Sequence, residues 1–416
     1  MDNVAEEERQ RQIQRNRIKW RRVNYFETLN NNEFQMKFRL SKTQFLEVLK
    51  QIEPKIQCKQ RKYPIPPNIR LLTALRFYAT GTFLQVVADF ANISAMSAYR
   101  IVHEVSKAIA DLLPNYIRLP RTDQEIMKTM KNNFSIAGMV RVIGAMDCVH
   151  VKIESYGGDD AELFRNRKGY MSINVQCMVN SDLEILDIVA RWPGSTHDST
   201  IFQNSRLKQR FDNLEFRNGA ILGDRGYGNH RYLLTPLADP QTPAEFLYNE
   251  SHIRTRCMVE RCFGIWKRTF PVLRIGSRFQ KPERTINVIL ATAVLHNIIR
   301  RDNRKINGSM QNYLSINAAF ADPTDNDRQY LIDHYFSNVI LTKQRGIVNI
   351  TNAREEAVGE SIEEQTTIGS SYKLLIQKQI EVEEMKLENQ KRKMVLLDTK
   401  IKISQEKLKK LREHIL

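Results

Sequence analysis

Cysteine is scarce in this chain: the five present, Cys58, Cys148, Cys177, Cys257 and Cys262, are odd in number and scattered. No C-x-x-C pair occurs, so neither a disulfide framework nor a zinc module is expected. Glycine and proline, at 17 and 13 of 416 residues, are too few for a collagenous or low-complexity chain. Long apolar runs are missing too. The most apolar helical stretch, 286–299, is broken by Asn287, Thr292, His296 and Asn297 and reads as a buried helix rather than a bilayer span. The opening MDNVAEEERQRQIQRNR has no apolar core and does not read as a signal peptide. The expectation is a soluble, intracellular protein in reducing surroundings, without a membrane partner.

Positive charge, by contrast, is in excess. Lys and Arg number 64 against 47 Asp and Glu, a net of +17. Such an excess sets no fold, but it favours an anionic partner, nucleic acid first. Residues 1–37 read as a basic arm. From Arg9 to Arg22 it carries seven basic residues and no acid. That suits nuclear import or phosphate contact as well as a solvated helix. The nucleus is the expected location, with the cytoplasm left open. The length argues for two or three domains and a sizeable core.

Residues 38–120 read as all-helical. FRLSKTQFLEVLKQI puts Phe38, Phe45, Leu46 and Leu49 at helical spacing, with Ser41 as N-cap. A second helix, NIRLLTALRFYATG, stops at Gly81. FLQVVADFANISAMSAYRIVHEVSKAIADLL then reads as helix, three-residue turn, helix. Val86, Val87 and Phe90 pack the first helix, Asn92-Ile93-Ser94 turns, and Ile101, Val102, Val105, Ile109 and Leu112 stripe the second. That is the layout of a helix-turn-helix, whose second helix enters the major groove with Ser94, Ser97, Arg100 and His103 on its DNA side. A plain helical bundle carries the same pattern.

Residues 136–300 change to α/β character. Strands are expected in RVIGAMDCVHVKI, YMSINVQCMVN, LEILDIVARW and GAILG, and helices near 258–270 and 282–300. Residues 301–371 are polar and read as linker. In 372–416, Ile380, Leu387, Met394, Ile401, Leu408 and Ile415 recur every seven residues. This is the seam of a coiled coil, which needs a second copy or a partner helix to cover it.

Three acids stand where local structure does not ask for them. Asp147 interrupts a strand that otherwise reads as buried on both faces, where a carboxylate needs a cation or a donor. Asp224 follows the short strand AILG, in LGDRGYG. Glu260 edges the stripe Val259, Phe263, Trp266 and Phe270 of a helix rich in Arg and Lys. Each alone has an ordinary explanation: Asp147 bonded to backbone amides, Asp224 as a turn or cap residue, Glu260 paired with Arg256 or Arg261. Together they can converge on two divalent ions about 3.5–4 Å apart, arranged for in-line phosphoryl displacement. Hard oxygen ligands favour Mg2+ or Mn2+. His197 and Asp198, in PGSTHDST, offer an auxiliary acid near Asp147 or a helix N-cap. Arg165, Arg167 and Lys168, in FRNRKGY, offer a grip on a substrate phosphate or a plain basic turn.

The segments IGAMDCVHVKI, FRNRKGYMSINVQCMVN, IVARWPGSTHDSTIFQNS, ILGDRGYGNHRYLLTPL, TPAEFLYNESHIRTRCMVERCFGIWKRTFPVL and ATAVLHNII, in that order, resemble the PIF/Harbinger transposases and the Harbinger-derived nucleases of animals. The resemblance covers about 38–300. It implies an RNase H-like catalytic domain, a mixed sheet flanked by helices, preceded by a helix-turn-helix. Its DDE triad falls on Asp147, Asp224 and Glu260. The implied activity is that of a metal-dependent DNA endonuclease, hydrolysing or transferring phosphodiester bonds. The alternative is a catalytically silent, domesticated DNA-binding or adaptor protein that recruits others through the coiled coil. The tail resembles the helical tails of the Myb/SANT-like proteins that partner Harbinger transposases. A protein of that kind, or a second copy of this chain, is therefore the expected partner.

Overall fold

The computed structural model describes residues 23–56, 65–228, 230–306 and 327–342. The basic run 9–22 and the heptad series of 372–416 lie outside these residues. The elements named here belong to the unit Met1–Ile340.

Among the described residues, six helices of eight or more residues precede the first strand: α1 Asn31–Phe38, α2 Lys42–Ile56, α3 Pro67–Thr80, α4 Leu84–Ala91, α5 Ala95–Ala110 and α6 Asp123–Ala137. Their ends are written locally. Asn30 and Glu33 form a capping box on α1. Ser41 starts α2 by exchanging hydrogen bonds with Gln44. α3 ends at Gly81, which takes φ +64° where a Cβ would press on the Val272 backbone at 3.1 Å. Asn92 turns the chain between α4 and α5 at φ +50°, Ile93 is buried, and the Ser94 hydroxyl accepts the Ser97 N–H at 3.2 Å. Two expected packing residues instead face solvent, Leu46 at 51% and Val86 at 53% exposure. The buried face of α2 follows Phe45, Val48 and Ile52, and that of α4 follows Val87, Ala88 and Ala91. Each exposed residue is one position off those faces, a third of a turn away.

α6 was not part of the sequence expectation, although its start carries a T-x-x-E signal: Thr122 accepts the Glu125 N–H at 3.2 Å. Asn133 fastens this helix to the sheet, donating to the Val142 carbonyl at 2.9 Å and accepting the Ser181 N–H at 2.8 Å.

β1 Val142–Lys152, β2 Ser172–Val179, β3 Ile185–Pro193, β4 Ala220–Leu222 and β5 Leu233–Leu234 form one five-stranded sheet of order β3-β2-β1-β4-β5. The first three strands make an antiparallel meander, while β4 runs parallel to β1 and β5 to β4. Helices α7 Asp198–Gln203 and α8 Arg206–Asp212 lie between β3 and β4. After β5 come α9 Pro243–Thr269 and α10 Pro282–Ile306. α9 starts well before the expected 258, at a capping box of Thr242 and Glu245 with Pro243 in the first turn. The result is the mixed α/β architecture expected of an RNase H-like domain.

The alternation of β1 divides the core. Ala145 and Val151 join Cys177 and Val179 of β2, Val259 and Trp266 of α9, and the buried faces of α1–α5 in one continuous apolar body. Ile143 and Met146 point the other way, to Phe202, Phe211, Phe216 and Tyr227. The helices of 38–120 thus share their core with the sheet of 136–300. Part of the expected 301–371 linker is packed structure as well. Asp327–Tyr330 is helical and runs into a π-helical turn, Leu331–Phe336. Leu331, Ile332 and Phe336 are buried, and Phe336 meets Tyr248 edge-on at 5.6 Å. The polar residues around this short stripe hide it from a composition-based reading. Among the described residues no helix is long and apolar enough to cross a membrane.

Candidate active site

Parallel pairing places Ala145 of β1 opposite Leu222 of β4. Two residues further along each chain stand Asp147 and Asp224, so the register brings the first two acids to one end of the sheet. α9 packs on the face of β1 that carries Ala145 and Asp147, and it supplies both Arg256 and Glu260.

The Asp147 side chain is only 20% exposed. Its Oδ1 accepts the Cys148 N–H at 2.7 Å, and its Oδ2 accepts from Arg256 Nη1 at 3.0 Å. Arg256 Nη2 donates to Glu260 Oε1 at 2.7 Å. One guanidinium, itself 17% exposed, therefore spans the first and third acids. The planar fork of arginine suits such a bridge, and the i,i+4 spacing on α9 brings Arg256 and Glu260 onto one face. Burial pushes the Asp147 carboxyl up to about 6; the Cys148 amide and Arg256 pull it down, while Asp224 and Asp198 push it further up.

Asp224 caps the short 3-10 turn Arg225–Tyr227, its Oδ1 accepting the Gly226 N–H at 2.9 Å. Each ordinary role foreseen for the acids is thus present: amide-bonded Asp147, capping Asp224, arginine-paired Glu260. None of those roles accounts for gathering the three at one place, against the repulsion felt by Asp147.

Asp198 opens α7, and its Oδ1 accepts from Asn174 Nδ2 at 2.8 Å. The cap of that helix is His197, whose Nδ1 accepts the Ser199 N–H at 3.3 Å, so the cap reading of Asp198 gives way. On the opposite face of β1, Cys148 Sγ lies 3.3 Å from the Tyr227 hydroxyl, and burial pushes both groups far above their ordinary ionisation range.

The basic candidates separate into two kinds. Arg165 is neutralised: it donates to Glu162 from Nε at 2.6 Å and Nη2 at 3.0 Å, and to the Gly169 carbonyl at 2.8 Å. Arg167 and Lys168 are exposed, with no ion pair among the described residues. On α5, Ser94 and Ser97 bond to each other at 2.9 Å and Arg100 is exposed. His103 is turned inward between the rings of Tyr99 and Phe279, at 4.5 and 4.4 Å. Both its ring nitrogens are buried without a partner among the described residues, and burial lowers it to about 4. That imidazole is packing surface, not a groove-facing donor.

The sequence reading paired Arg256 with Glu260 but passed over its second contact, to Asp147, and passed over Asn174 altogether. The R-x-x-x-E spacing marked the pair with Glu260; nothing local marked the contact with Asp147, or Asn174, a strand residue. Among the described residues no group of three or more His, Cys, Asp or Glu forms a ready metal cage. Arg256 stands between two of the acids. The donors themselves, carboxylate oxygens held at a partly buried end of the sheet, fit a hard divalent cation.

The DDE superfamily endonuclease family matches residues 146–297, a range holding Asp147, Asp224 and Glu260. The chain is 36% identical over 244 residues to the Rattus norvegicus protein named "Putative nuclease HARBI1", covering 58% of this chain and 69% of that one. It is 34% identical over 243 residues to the Homo sapiens protein of the same name, with the same shares of 58% and 69%. No solved structure matches.

Proposed function

This chain belongs to the Harbinger-derived nucleases of the DDE endonuclease superfamily, and on that premise we propose that it is a metal-dependent DNA endonuclease acting through Asp147, Asp224 and Glu260. The observation that carries the reading is the gathering of these acids around a partly buried Asp147 whose carboxyl burial raises to about 6. A carboxylate so placed gains from a cation more than an exposed one does.

Asp147 and Asp224 would hold Mg2+ or Mn2+, with Glu260 joining when Arg256 releases it. Bound there, divalent ions supply the charge that ionises a water or a 3′-hydroxyl and stabilises the leaving oxygen. The chain's own residues prepare the site. The Cys148 amide holds Oδ1 of Asp147, leaving Oδ2 as the oxygen that changes partner. The Gly226 amide aims Asp224, and Asn174 aims Asp198. Arg256 keeps Asp147 and Glu260 from repelling each other when no ion is bound. The Cys148 thiol, held un-ionised against Tyr227, offers no nucleophile to the site.

The catalytically silent alternative draws on the same Arg256, which satisfies two of the acids without any ion. Nicking of supercoiled plasmid by the full chain with Mg2+, Mn2+ or EDTA separates the two readings. Metal-dependent nicks support the nuclease, and DNA binding without nicks under every condition supports the adaptor. Nuclear location and pairing through the heptad tail belong to the same proposal.

A further inference from the structure

We propose that Arg167, Lys168 and Lys267 form a phosphate-binding subsite beside the acids that grips a backbone phosphate of DNA; the choice of DNA as ligand rests on the nuclease reading. Lys267 lies on α9 two turns beyond Glu260 and is half-buried. Its Nζ donates to the His150 carbonyl at 2.8 Å, and no carboxylate among the described residues pairs with it. His150 Nδ1 is 3.0 Å from Ser172 Oγ, which also accepts from Asn166 Nδ2 at 2.9 Å. Asn166, only 5% exposed, takes the Lys168 N–H on its Oδ1 at 2.9 Å. A chain of hydrogen bonds therefore ties the Arg167–Lys168 turn to His150 and, through its carbonyl, to Lys267.

The strand register reaches the acids. His150 pairs with Asn174 across β1 and β2, and Asn174 holds Asp198, which acts on Asp147. The cations feel one another. Burial, then Lys168, lowers the Lys267 ammonium. Burial also lowers the His150 imidazole, with Asp198 opposing and Lys267, Lys168 and Arg167 adding. A turn built only for its own stability would pair these charges, as adjacent Arg165 is paired with Glu162. Three cations left without an acid among the described residues, on a hydrogen-bonded frame next to the carboxylates proposed to act on phosphodiesters, match a ligand that is singly negative and only accepts hydrogen bonds.

Anisotropy of labelled duplex DNA with the full chain in EDTA, from about 50 to about 200 mM salt, reads binding without cleavage. The double variant Arg167→Gln, Lys168→Gln should lower the slope of log K against log salt by about 0.9 for each phosphate left un-neutralised, and weaken binding about tenfold at the higher salt. Lys267→Met should shift both in the same direction; the surface double variant decides the matter should that protein fail to fold. Arg254→Gln, which removes an exposed charge paired with Glu250, should leave the slope unchanged. An unchanged slope in the double variant overturns the subsite. A reduced slope in a protein that nicks no plasmid keeps the subsite and sinks the nuclease reading. Nicking by wild type with an unchanged slope does the reverse.

Discussion

Asp147 on β1 and Asp187 on β3 are both sheet acids, and burial pushes each up to about 6. Their company differs. Around Asp147 stand two further carboxylates that raise it, a backbone amide and an arginine shared with Glu260. The charge acting on Asp187 is Arg210, itself paired with Glu215 at 2.7 Å. Burial alone therefore marks neither as functional. What separates them is that Asp147 has, besides its arginine, further carboxylates close enough to raise it, a repulsion that a bound cation would relieve.

The largest expected effect breaks the pair apart by activity. Asp147→Asn, Asp224→Asn and Glu260→Gln should each lower Mn2+-dependent strand cleavage at least about a hundredfold. Combining them should cost little more, because they serve one site. Asp187→Asn should stay within a few-fold of wild type. Cleavage assays on the four single variants and the Asp147, Asp224 double variant check this. Equal losses at Asp147 and Asp187 would mean that burial, not company, matters.

Acid stability sharpens the comparison next. His252 and His296 are buried, and burial lowers both to about 4. The unfolded chain takes protons on these rings near pH 6.5 while the folded one refuses them, so stability falls as pH drops from about 6.5 to about 4, by about 3 kcal/mol per ring at most. Asp147 and Asp187 act in the opposite sense. Their folded carboxyls protonate first, so a penalty present above about 6 is relieved as pH falls towards about 4. Melting temperature should decline through this window in wild type, and more steeply in Asp187→Asn, which lacks one compensating acid. Calorimetry from pH 7 to 4 reads both slopes.

A smaller effect belongs to Arg256. Arg256→Gln removes the bridge at 3.0 and 2.7 Å and exposes Asp147 to Glu260. The metal-free protein should melt lower by about 1–3 kcal/mol of stability, and half-saturation of cleavage should need several-fold less Mn2+. Paired unfolding curves and metal titrations of activity test it. Smallest of all is the metal-free stability of Asp147→Asn and Asp187→Asn. Each removes a buried charge, so both should melt level with wild type or slightly above it at pH 7.

The three acids were legible because each broke a local pattern: a carboxylate inside the apolar strand 142–151, one after AILG, one at the edge of an apolar stripe. The parallel register of β1 and β4 brings the first two together, and the packing of α9 on β1 brings the third. The second contact of Arg256 was harder to see, because Asp147 is 109 residues away. His103 falls on the polar side of α5 by spacing, and only Phe279, from a loop far along the chain, turns it into packing surface. α6 is a mostly polar helix whose cap was its one clear signal, and β5, at two residues, is too short for any period to show. The stripe of 331–336 was lost in a polar surround for the same reason.

The acids around Asp147 are proposed to hold a divalent ion. Isothermal titration of Mn2+ into the full chain tests it directly, with Asp147→Asn and Asp187→Asn beside wild type. Saturable binding by wild type and by Asp187→Asn, lost in Asp147→Asn, is the predicted result. Binding by Asp147→Asn that matches wild type in both affinity and stoichiometry would contradict that assignment.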